Sequence, residues 1–195
     1  ADALIFDVED SVSMSEKDSA RIVVRNTLQT LDFGNCKTIF RINPLDSPFW
    51  KEDLQTIAPQ LPDFLLLPKT NGSDDIFKIA QHMKKICNET QANVKIIALL
   101  ETALGIEKAF EIACVNEIVH GLLLGAEDLS SNLNCKRTKQ GTEILYARQR
   151  VVMAARACGI EAFDTPFTDI NDDEGIARDA SLAKALGFSG KASIS

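Results

Sequence analysis

The sequence has few of the features that mark secreted, membrane-bound or nucleic-acid-binding proteins. Its five cysteines stand singly, without a Cys-x-x-Cys pair, in a chain of 195 residues that is long enough to fold without disulfides. No apolar run approaches the roughly 20 residues of a membrane span. A formal net charge of −7 disfavours binding to phosphate backbones. These absences predict a protein of a reducing, cytoplasmic-type compartment without a membrane or nucleic-acid partner, and they leave an organellar origin open.

Two common kinds of site are also missing. No Gly-x-Gly-x-x-Gly motif follows the first apolar run, which disfavours a dinucleotide-binding fold. The two histidines are His82, in a stretch with helical spacing, and His120, at the start of an apolar run. Neither lies where a strand ends, so we expect no zinc site. Residues 1–4 enter an apolar run at once, without a secretory signal pattern, and we expect an N-terminal segment of the protein to precede them.

Short apolar runs alternate with stretches of helical spacing along the whole chain. Continuous apolar runs are typical of parallel strands that helices cover on both faces. The runs are 3–6, 38–42, 63–67, 94–100, 118–124, 160–163 and 188–194, and the helical stretches are 15–31, 73–87, 105–113, 143–158 and 172–186. We predict one α/β domain over residues 1–195, built as an open doubly wound sheet or as a closed (β/α)₈ barrel, which typically needs about 250 residues.

Charged and polar residues follow almost every apolar run. In parallel α/β folds the carboxyl ends of the strands meet at one rim, where binding and catalytic residues gather. The first polar residues after the runs are Asp7, Glu9, Asp10, Arg41, Asn43, Lys69, Glu101, Glu127, Asp128, Asp164 and Lys191. So many charges at one rim are a stronger sign of a functional site than any one of them alone.

The pair Glu101 and Asp128 ends two successive strands and is the best candidate for a metal site. Two neighbouring carboxylates repel each other unless a cation lies between them, and hard oxygen ligands favour Mg²⁺ or Mn²⁺. Arg41 has the planar fork that holds a substrate carboxylate through two hydrogen bonds. The alternative for Arg41 is a salt bridge to Asp7 or Glu9. Gly125 precedes the acidic residues and offers a backbone N–H to a developing oxyanion.

An ordered set of motifs resembles the citrate lyase beta-subunit family of the HpcH/HpaI aldolase superfamily, which includes malyl-CoA and citramalyl-CoA lyases. One such motif is weak, whereas the whole set in this order covers almost the entire chain. The motifs are Phe-Asp-Val-Glu-Asp-Ser-Val at 6–12 with Lys17 and Ala20-Arg21, Arg-Ile-Asn at 41–43, Leu-Pro-Lys at 67–69, Leu-Glu-Thr at 100–102 with Gly105, Leu-Gly-Ala-Glu-Asp-Leu at 124–129, Tyr-Ala-Arg at 146–148 and Asp-Thr-Pro-Phe at 164–167.

The resemblance implies a (β/α)₈ barrel enzyme, usually trimeric or hexameric, that makes or breaks a carbon–carbon bond between an acyl thioester and a 2-oxo acid. Its substrates would be citryl, citramalyl or malyl thioesters of CoA or of an acyl carrier protein, the latter alongside other lyase subunits. Mapped onto this sequence, it makes Glu101 and Asp128 ligands of Mg²⁺, with Mn²⁺ as a second choice, and makes Arg41 the holder of the oxo-acid carboxylate. Besides Arg41 and Asp128, the residues expected to contact the substrate are Gly125 and Glu127. Three acids are expected to support the metal site from outside its ligands: Asp7, Glu9 and Asp10. Four residues are expected to lie near the thioester cofactor or to brace the rim: Lys17, Arg21, Lys69 and Asp164.

The sequence departs from the family pattern at both ends. The family's first strand and its C-terminal lid, which carries an acid/base carboxylate, are absent from this chain, so we expect an incomplete barrel. Ser195 stands where relatives have the histidine of Ile-His-Pro, and Asn134-Cys135-Lys136 replaces a turn that contains glycine in many relatives. The acid/base residue is therefore not assigned.

Two other functions remain open at this stage. An aldolase of free hydroxy-oxo acids would use a histidine base near the family's second strand, where this chain has residues 7–10 and no histidine. A barrel kept as a non-catalytic subunit is the second alternative. Trp50 is predicted to lie in the polar loop after Arg41, where a role beside the substrate is open.

Overall fold

A computed structural model of the protein describes residues 1–87 and 94–194, so that Ser195 lies outside the described residues. The chain forms two compact units. The first comprises Ala1–Pro68 and Asp74–Ile97, and the second comprises Lys69–Ser73 and Ala98–Ser195. That residues 1–195 form one domain stays a prediction.

The first unit alternates strands with helices. It contains β1 (Ala3–Asp7), α1 (Lys17–Thr30), β2 (Lys37–Arg41), α2 (Trp50–Ile57), β3 (Phe64–Leu67) and α3 (Ser73–Ile86) apart from its first residue. Strand β1 pairs with β2 in parallel, with Asp7 opposite Arg41, and β2 pairs with β3 in parallel. This register brings the ends of the first two strands side by side.

Strand β4 (Lys95–Leu100) contributes residues to both units, and the remaining elements belong to the second. They are α4 (Ala103–Glu107), α5 (Ala109–Ala113), β5 (Val119–Leu124), α6 (Ala126–Asn132), α7 (Leu145–Cys158), β6 (Glu161–Asp164), α8 (Asp173–Leu186) and β7 (Gly190–Lys191). Strand β6 pairs in parallel with β5 and with β7. The described residues therefore form an α/β fold with parallel strands.

The apolar runs of β3, β4 and β5 form buried strands, as their composition predicts, whereas Leu4 and Ile5 of β1 are 42% and 43% exposed. Leu65, Leu66 and Leu67 of β3 are at most 2% exposed, and Leu122 and Leu124 of β5 are fully buried. A strand whose successive side chains are all buried must be covered on both faces, which is the arrangement of parallel α/β folds.

Local signals set the helix ends. Gly159 follows α7 with φ +70°, a left-handed conformation that glycine adopts without strain. At the start of α8, the carboxylate of Asp172 accepts a hydrogen bond of 2.9 Å from the N–H of Gly175. None of the helices in the described part of the chain is both long enough and apolar enough to cross a membrane.

All seven predicted strands are present among the described residues, whereas the helix prediction was incomplete. It missed α2 and α6, whose eight and seven residues are too short to show a clear period, and the single helix predicted over 105–113 is the two helices α4 and α5. The placement of Trp50 in a loop was wrong. Trp50 begins α2, is 5% exposed, and packs edge-on against the ring of His82 at a centroid distance of 5.0 Å.

Candidate active site

Arg41 lies at the end of β2 and is held by the acids at and beyond the end of β1. Its Nε and Nη2 donate to the two carboxylate oxygens of Asp7 at 2.7 and 2.5 Å. Its Nη1 lies 3.0 Å from Oε2 of Glu9 and 3.9 Å from Oδ2 of Asp10. The alternative of a salt bridge to Asp7 or Glu9 is thus what the structure contains, and a role in holding substrate stays a prediction for Arg41.

This pairing shifts both pKa values. Burial alone would raise the pKa of Asp7, but hydrogen bonds from Arg41 and Ser11 and the charge of Arg41 outweigh it and hold the pKa at about 2, against an ordinary 3.8. Burial alone would lower the pKa of Arg41, and its bonds to Asp7 raise it instead. Both side chains are therefore charged at neutral pH.

Lys17 and Arg21 of helix α1 are buried in the same unit, and each donates hydrogen bonds to residues near the carboxyl ends of its strands. The ammonium of Lys17 donates to the carbonyl oxygens of Val8 and Glu9 at 2.8 and 2.6 Å. The Nε of Arg21 donates to the buried carboxylate of Asp53 at 2.8 Å. Both cations thus brace the segment after β1 and the start of α2, and a contact with a thioester cofactor stays a prediction.

In the second unit, Glu101 directly follows β4 and is only 4% exposed. Its Oε1 accepts a hydrogen bond of 2.8 Å from the backbone N–H of Lys69, which has a left-handed φ of +50°. A Cβ built on Gly125 would lie 2.7 Å from Cβ and 2.8 Å from Oε2 of Glu101. The missing side chain of Gly125 is therefore what leaves room for the Glu101 carboxylate.

The same glycine begins the segment that carries the second acid. Asp128 lies in the first turn of α6, is half-buried, and follows Gly125 by three residues. Glu127 is exposed, and its Oε1 lies 3.3 Å from Nε of Arg137. The N–H of Gly125 donates to the carbonyl of Leu100 at 3.0 Å, which corrects the expectation that it is available to an oxyanion.

The donor set fits a hard divalent cation. No cluster of three or more His, Cys, Asp or Glu side chains with metal-binding geometry occurs in the described ranges. The carboxylate of Glu101 lies against Gly125, and Gly125 begins the segment that carries Asp128. Glu101 and Asp128 offer only carboxylate oxygens as ligands, which suits Mg²⁺ and not zinc. A cation bound by these two carboxylates alone would keep coordination positions for water and a chelating substrate.

Asp164, at the end of β6, is completely buried in a network of charges. Its oxygens accept from Nε and Nη2 of Arg148 at 3.0 and 2.9 Å, and Lys191 donates to Oδ2 at 2.8 Å. Asp179 of α8 contacts Arg148 at 2.7 Å and Lys191 at 2.5 Å. Both oxygens of Asp164 are thus engaged within the protein, and a contact with a cofactor stays a prediction.

Sequence reasoning missed three other features. Asp179 gave no signal, because it looks like any charged residue of a surface helix. Thr165 was noted only as part of a motif, although it is 1% exposed. The free thiols of Cys114 and Cys158 lie 2.9 Å apart in the second unit, and because they are 44 positions apart in the sequence no local pattern shows their contact.

These observations define an α/β protein in which an acidic residue follows each of two successive strands, Glu101 after β4 and Asp128 in the first turn of the helix after β5. The family model described as HpcH/HpaI aldolase/citrate lyase matches residues 1–195, and the chain belongs to this family. It is 39% identical over 196 residues to citrate lyase subunit beta of Haemophilus influenzae, covering 99% of this chain and 67% of that protein. It is 32% identical over 205 residues to the mitochondrial citramalyl-CoA lyase of Rattus norvegicus, covering 97% of this chain and 60% of that protein. The chain thus spans about two thirds or less of the length of these relatives.

Solved structures agree with this assignment. RipC from Yersinia pestis matches with a TM-score of 0.86 and 31% identity, covering 100% of this chain and 84% of that one. The protein CitE from Mycobacterium tuberculosis in complex with magnesium, acetoacetate and coenzyme A matches with a TM-score of 0.84 and 32% identity, covering 100% of this chain and 68% of that one. The α/β fold of the family is therefore confirmed for this chain.

Proposed function

We propose that the protein is a Mg²⁺-dependent carbon–carbon lyase that cleaves a 3-hydroxyacyl thioester into an acyl thioester and a 2-oxo acid. The observation that carries the proposal is the carboxylate of Glu101, buried against Gly125 at the start of the helix with Asp128. Its relatives include proteins named citrate lyase subunit beta and citramalyl-CoA lyase, which favours this class of reaction.

The whole protein is proposed to be a (β/α)₈ barrel. The support is the regular alternation of parallel strands and helices in the described residues, together with polar side chains beyond the strands. A trimeric or hexameric assembly, a cytoplasmic location, and partnership with an acyl carrier protein and other lyase subunits stay predictions. Sizing of the full-length protein by light scattering tests the first of these.

Glu101 and Asp128 are proposed to hold the cation, with Mn²⁺ as an alternative to Mg²⁺. When bound, the cation would act as a Lewis acid toward the hydroxyl and carboxylate oxygens of the substrate. Asp7, Glu9 and Asp10 are proposed to support the site from outside the ligand set. The support for this part is that Asp7 and Glu9 already hold a guanidinium in a fixed direction.

Arg41 is proposed to hold the carboxylate of the 2-oxo acid. In the cleavage direction a base takes the proton of the substrate hydroxyl, the carbon–carbon bond breaks to leave the 2-oxo acid, and the electron pair of that bond forms a thioester enolate, which takes up a proton to give the acyl thioester. Fixing the oxo-acid half keeps the breaking bond in the orientation that this step needs. Glu127 lies in the first turn of α6 with Asp128 and is proposed to contact the substrate there, whereas Gly125 is not, because its N–H is bonded to the carbonyl of Leu100.

The thioester is proposed to be that of CoA. A structural neighbour was solved with magnesium, acetoacetate and coenzyme A, and one relative is named for a CoA substrate. Lys17, Arg21, Lys69 and Asp164 stay the candidates for cofactor contacts. Of these, exposure favours Lys69, because Lys17 and Arg21 are at most 5% exposed and Asp164 is fully buried.

The test is to incubate the full-length protein and Mg²⁺ with citramalyl-, malyl- and citryl-CoA. Release of pyruvate, glyoxylate or oxaloacetate, respectively, supports the proposal, and no product from any of them contradicts it. Glu101→Gln should abolish turnover, whereas Glu174→Gln, at a side chain that is 89% exposed on α8, should leave it unchanged. A free-acid aldolase would ignore competing CoA, and a non-catalytic subunit would show no turnover to lose.

A further inference from the structure

Helix α6, which carries Asp128, receives a hydrogen bond from a buried threonine beyond another strand. The N–H of Ala126, the first residue of α6, donates to Oγ1 of Thr165 at 3.1 Å. The first N–H groups of a helix have no partner within the helix, so an outside acceptor determines how its first turn is held. Thr165 is 1% exposed, and this bond is therefore shielded from water.

Thr165 is itself fixed by the buried charges around Asp164. The ammonium of Lys191 donates to the carbonyl of Thr165 at 2.5 Å and to Oδ2 of Asp164 at 2.8 Å. Arg148 grips Asp164 through two hydrogen bonds. Asp179 also pairs with both Arg148 and Lys191. These two cations and the carboxylates of Asp164 and Asp179 thus form one network, which fixes the backbone at Thr165.

We propose that Thr165 is a positioning residue that orients the first turn of α6, and with it Asp128, for the divalent cation. The proposal rests on the proposed function of Asp128 as a metal ligand. Thr165 lies outside the ligand set and acts through the backbone of Ala126, in the way that residues behind metal ligands commonly set their direction. The buried network supplies the rigid support from which Thr165 acts.

Thr165→Val tests this directly, because valine keeps the shape of threonine and removes the acceptor oxygen. We expect it to weaken Mn²⁺ binding, measured by calorimetry and electron paramagnetic resonance, by about tenfold or more. Thr165→Ser retains the hydroxyl and should restore the affinity to within about twofold of the original. Hydrogen exchange of residues 126–132 should become faster in Thr165→Val and not in Thr165→Ser.

Thr38→Val is the matched control. Thr38 is 7% exposed, and its hydroxyl likewise accepts a backbone N–H, from Asp63 in the first unit. The Thr38→Val variant should have a lower thermal stability and an unchanged affinity for Mn²⁺. If Thr165→Val does not fold, Thr165→Ala removes the same oxygen with less crowding and replaces it.

Two results would overturn the proposal in distinguishable ways. If the unmodified protein binds Mn²⁺ and Thr165→Val binds it equally well, Thr165 has only a structural role and the metal site stands. If the unmodified protein binds no Mn²⁺, the proposed metal site itself fails, and the role of Thr165 fails with it.

Discussion

At the scale of single residues, the salt bridge between Asp7 and Arg41 makes the free energy of unfolding depend on pH. The pKa of Asp7 is about 2 in the folded protein, below its ordinary 3.8. A lowered carboxyl pKa contributes stability that is fully present above the unfolded value and is lost as the pH falls through the folded value. The contribution of Asp7 is therefore lost between about pH 4 and pH 2.

Asp7→Asn should remove this contribution. At pH 7 we expect the free energy of unfolding to fall by at most about 2 kcal/mol, reduced by solvent screening of this partly exposed pair. The difference from the unmodified protein should shrink as the pH approaches 2. Urea unfolding at pH 7, 4 and 2.5 measures this, and a difference that is the same at all three values would contradict it.

Arg148 is a second residue whose effect depends on burial. It is completely buried and contacts Asp164 and Asp179, which would be left short of a partner without it. Arg148→Leu should therefore destabilise the fold by about 3–5 kcal/mol. Arg178→Leu is the control, because this side chain is 68% exposed and its ion pair with Glu174 contributes little, so that a change below about 0.5 kcal/mol is expected. Equal losses in the two variants would show that the buried network has no special weight.

At the scale of secondary-structure elements, Gly125 connects β5 to α6 and leaves room there for the side chain of Glu101. Its φ of −104° is open to any residue, so only space requires glycine here. Gly125→Ala places a Cβ 2.7 Å from Cβ of Glu101, which forces Glu101 or the start of α6 to shift. We expect Mg²⁺ affinity to fall about tenfold or more, measured by calorimetry.

Gly72→Ala provides a matched control for this prediction. A Cβ at Gly72 would meet Glu111 and Lys108 at 3.5 Å, an ordinary van der Waals distance. The variant should bind Mg²⁺ as the unmodified protein does. A similar loss of affinity in both variants would mean that the space over Gly125 is not what seats Glu101.

For the whole molecule, the proposed metal site should couple cation binding to stability. A ligand that binds only the folded state stabilises it by about 2.7 kcal/mol at a concentration 100 times its Kd. For a chain of this size that corresponds to a rise in Tm of roughly 5–10 °C. Calorimetric scans with and without Mg²⁺ measure the shift, which Glu101→Gln should remove and Glu174→Gln should keep. A rise in Tm that survives in Glu101→Gln would place the binding elsewhere.

Much of the secondary structure was predictable because strands and long helices show a characteristic pattern of apolar and polar residues over short stretches of sequence. Seven continuous apolar runs became the seven strands of the described residues, and the polar residue after β4 was recognisable as Glu101. The short helices α2 and α6 were missed, since one or two turns carry too little periodicity to be recognised.

The sequence by itself therefore determined the α/β alternation, the family, and which acids follow the strands, because short runs of neighbouring residues and their order along the chain indicate each of these. Only the tertiary structure decided that Asp7 and Glu9 form salt bridges with Arg41, that Gly125 makes room for Glu101, and that the hydroxyl of Thr165 accepts the N–H of Ala126. The physical reason is separation along the chain. Arg41 and Asp7 lie 34 residues apart, and Thr165 and Ala126 lie 39 apart. Which of many possible charges and hydroxyls meet over such distances depends on how the strands are placed side by side, and no local pattern records that.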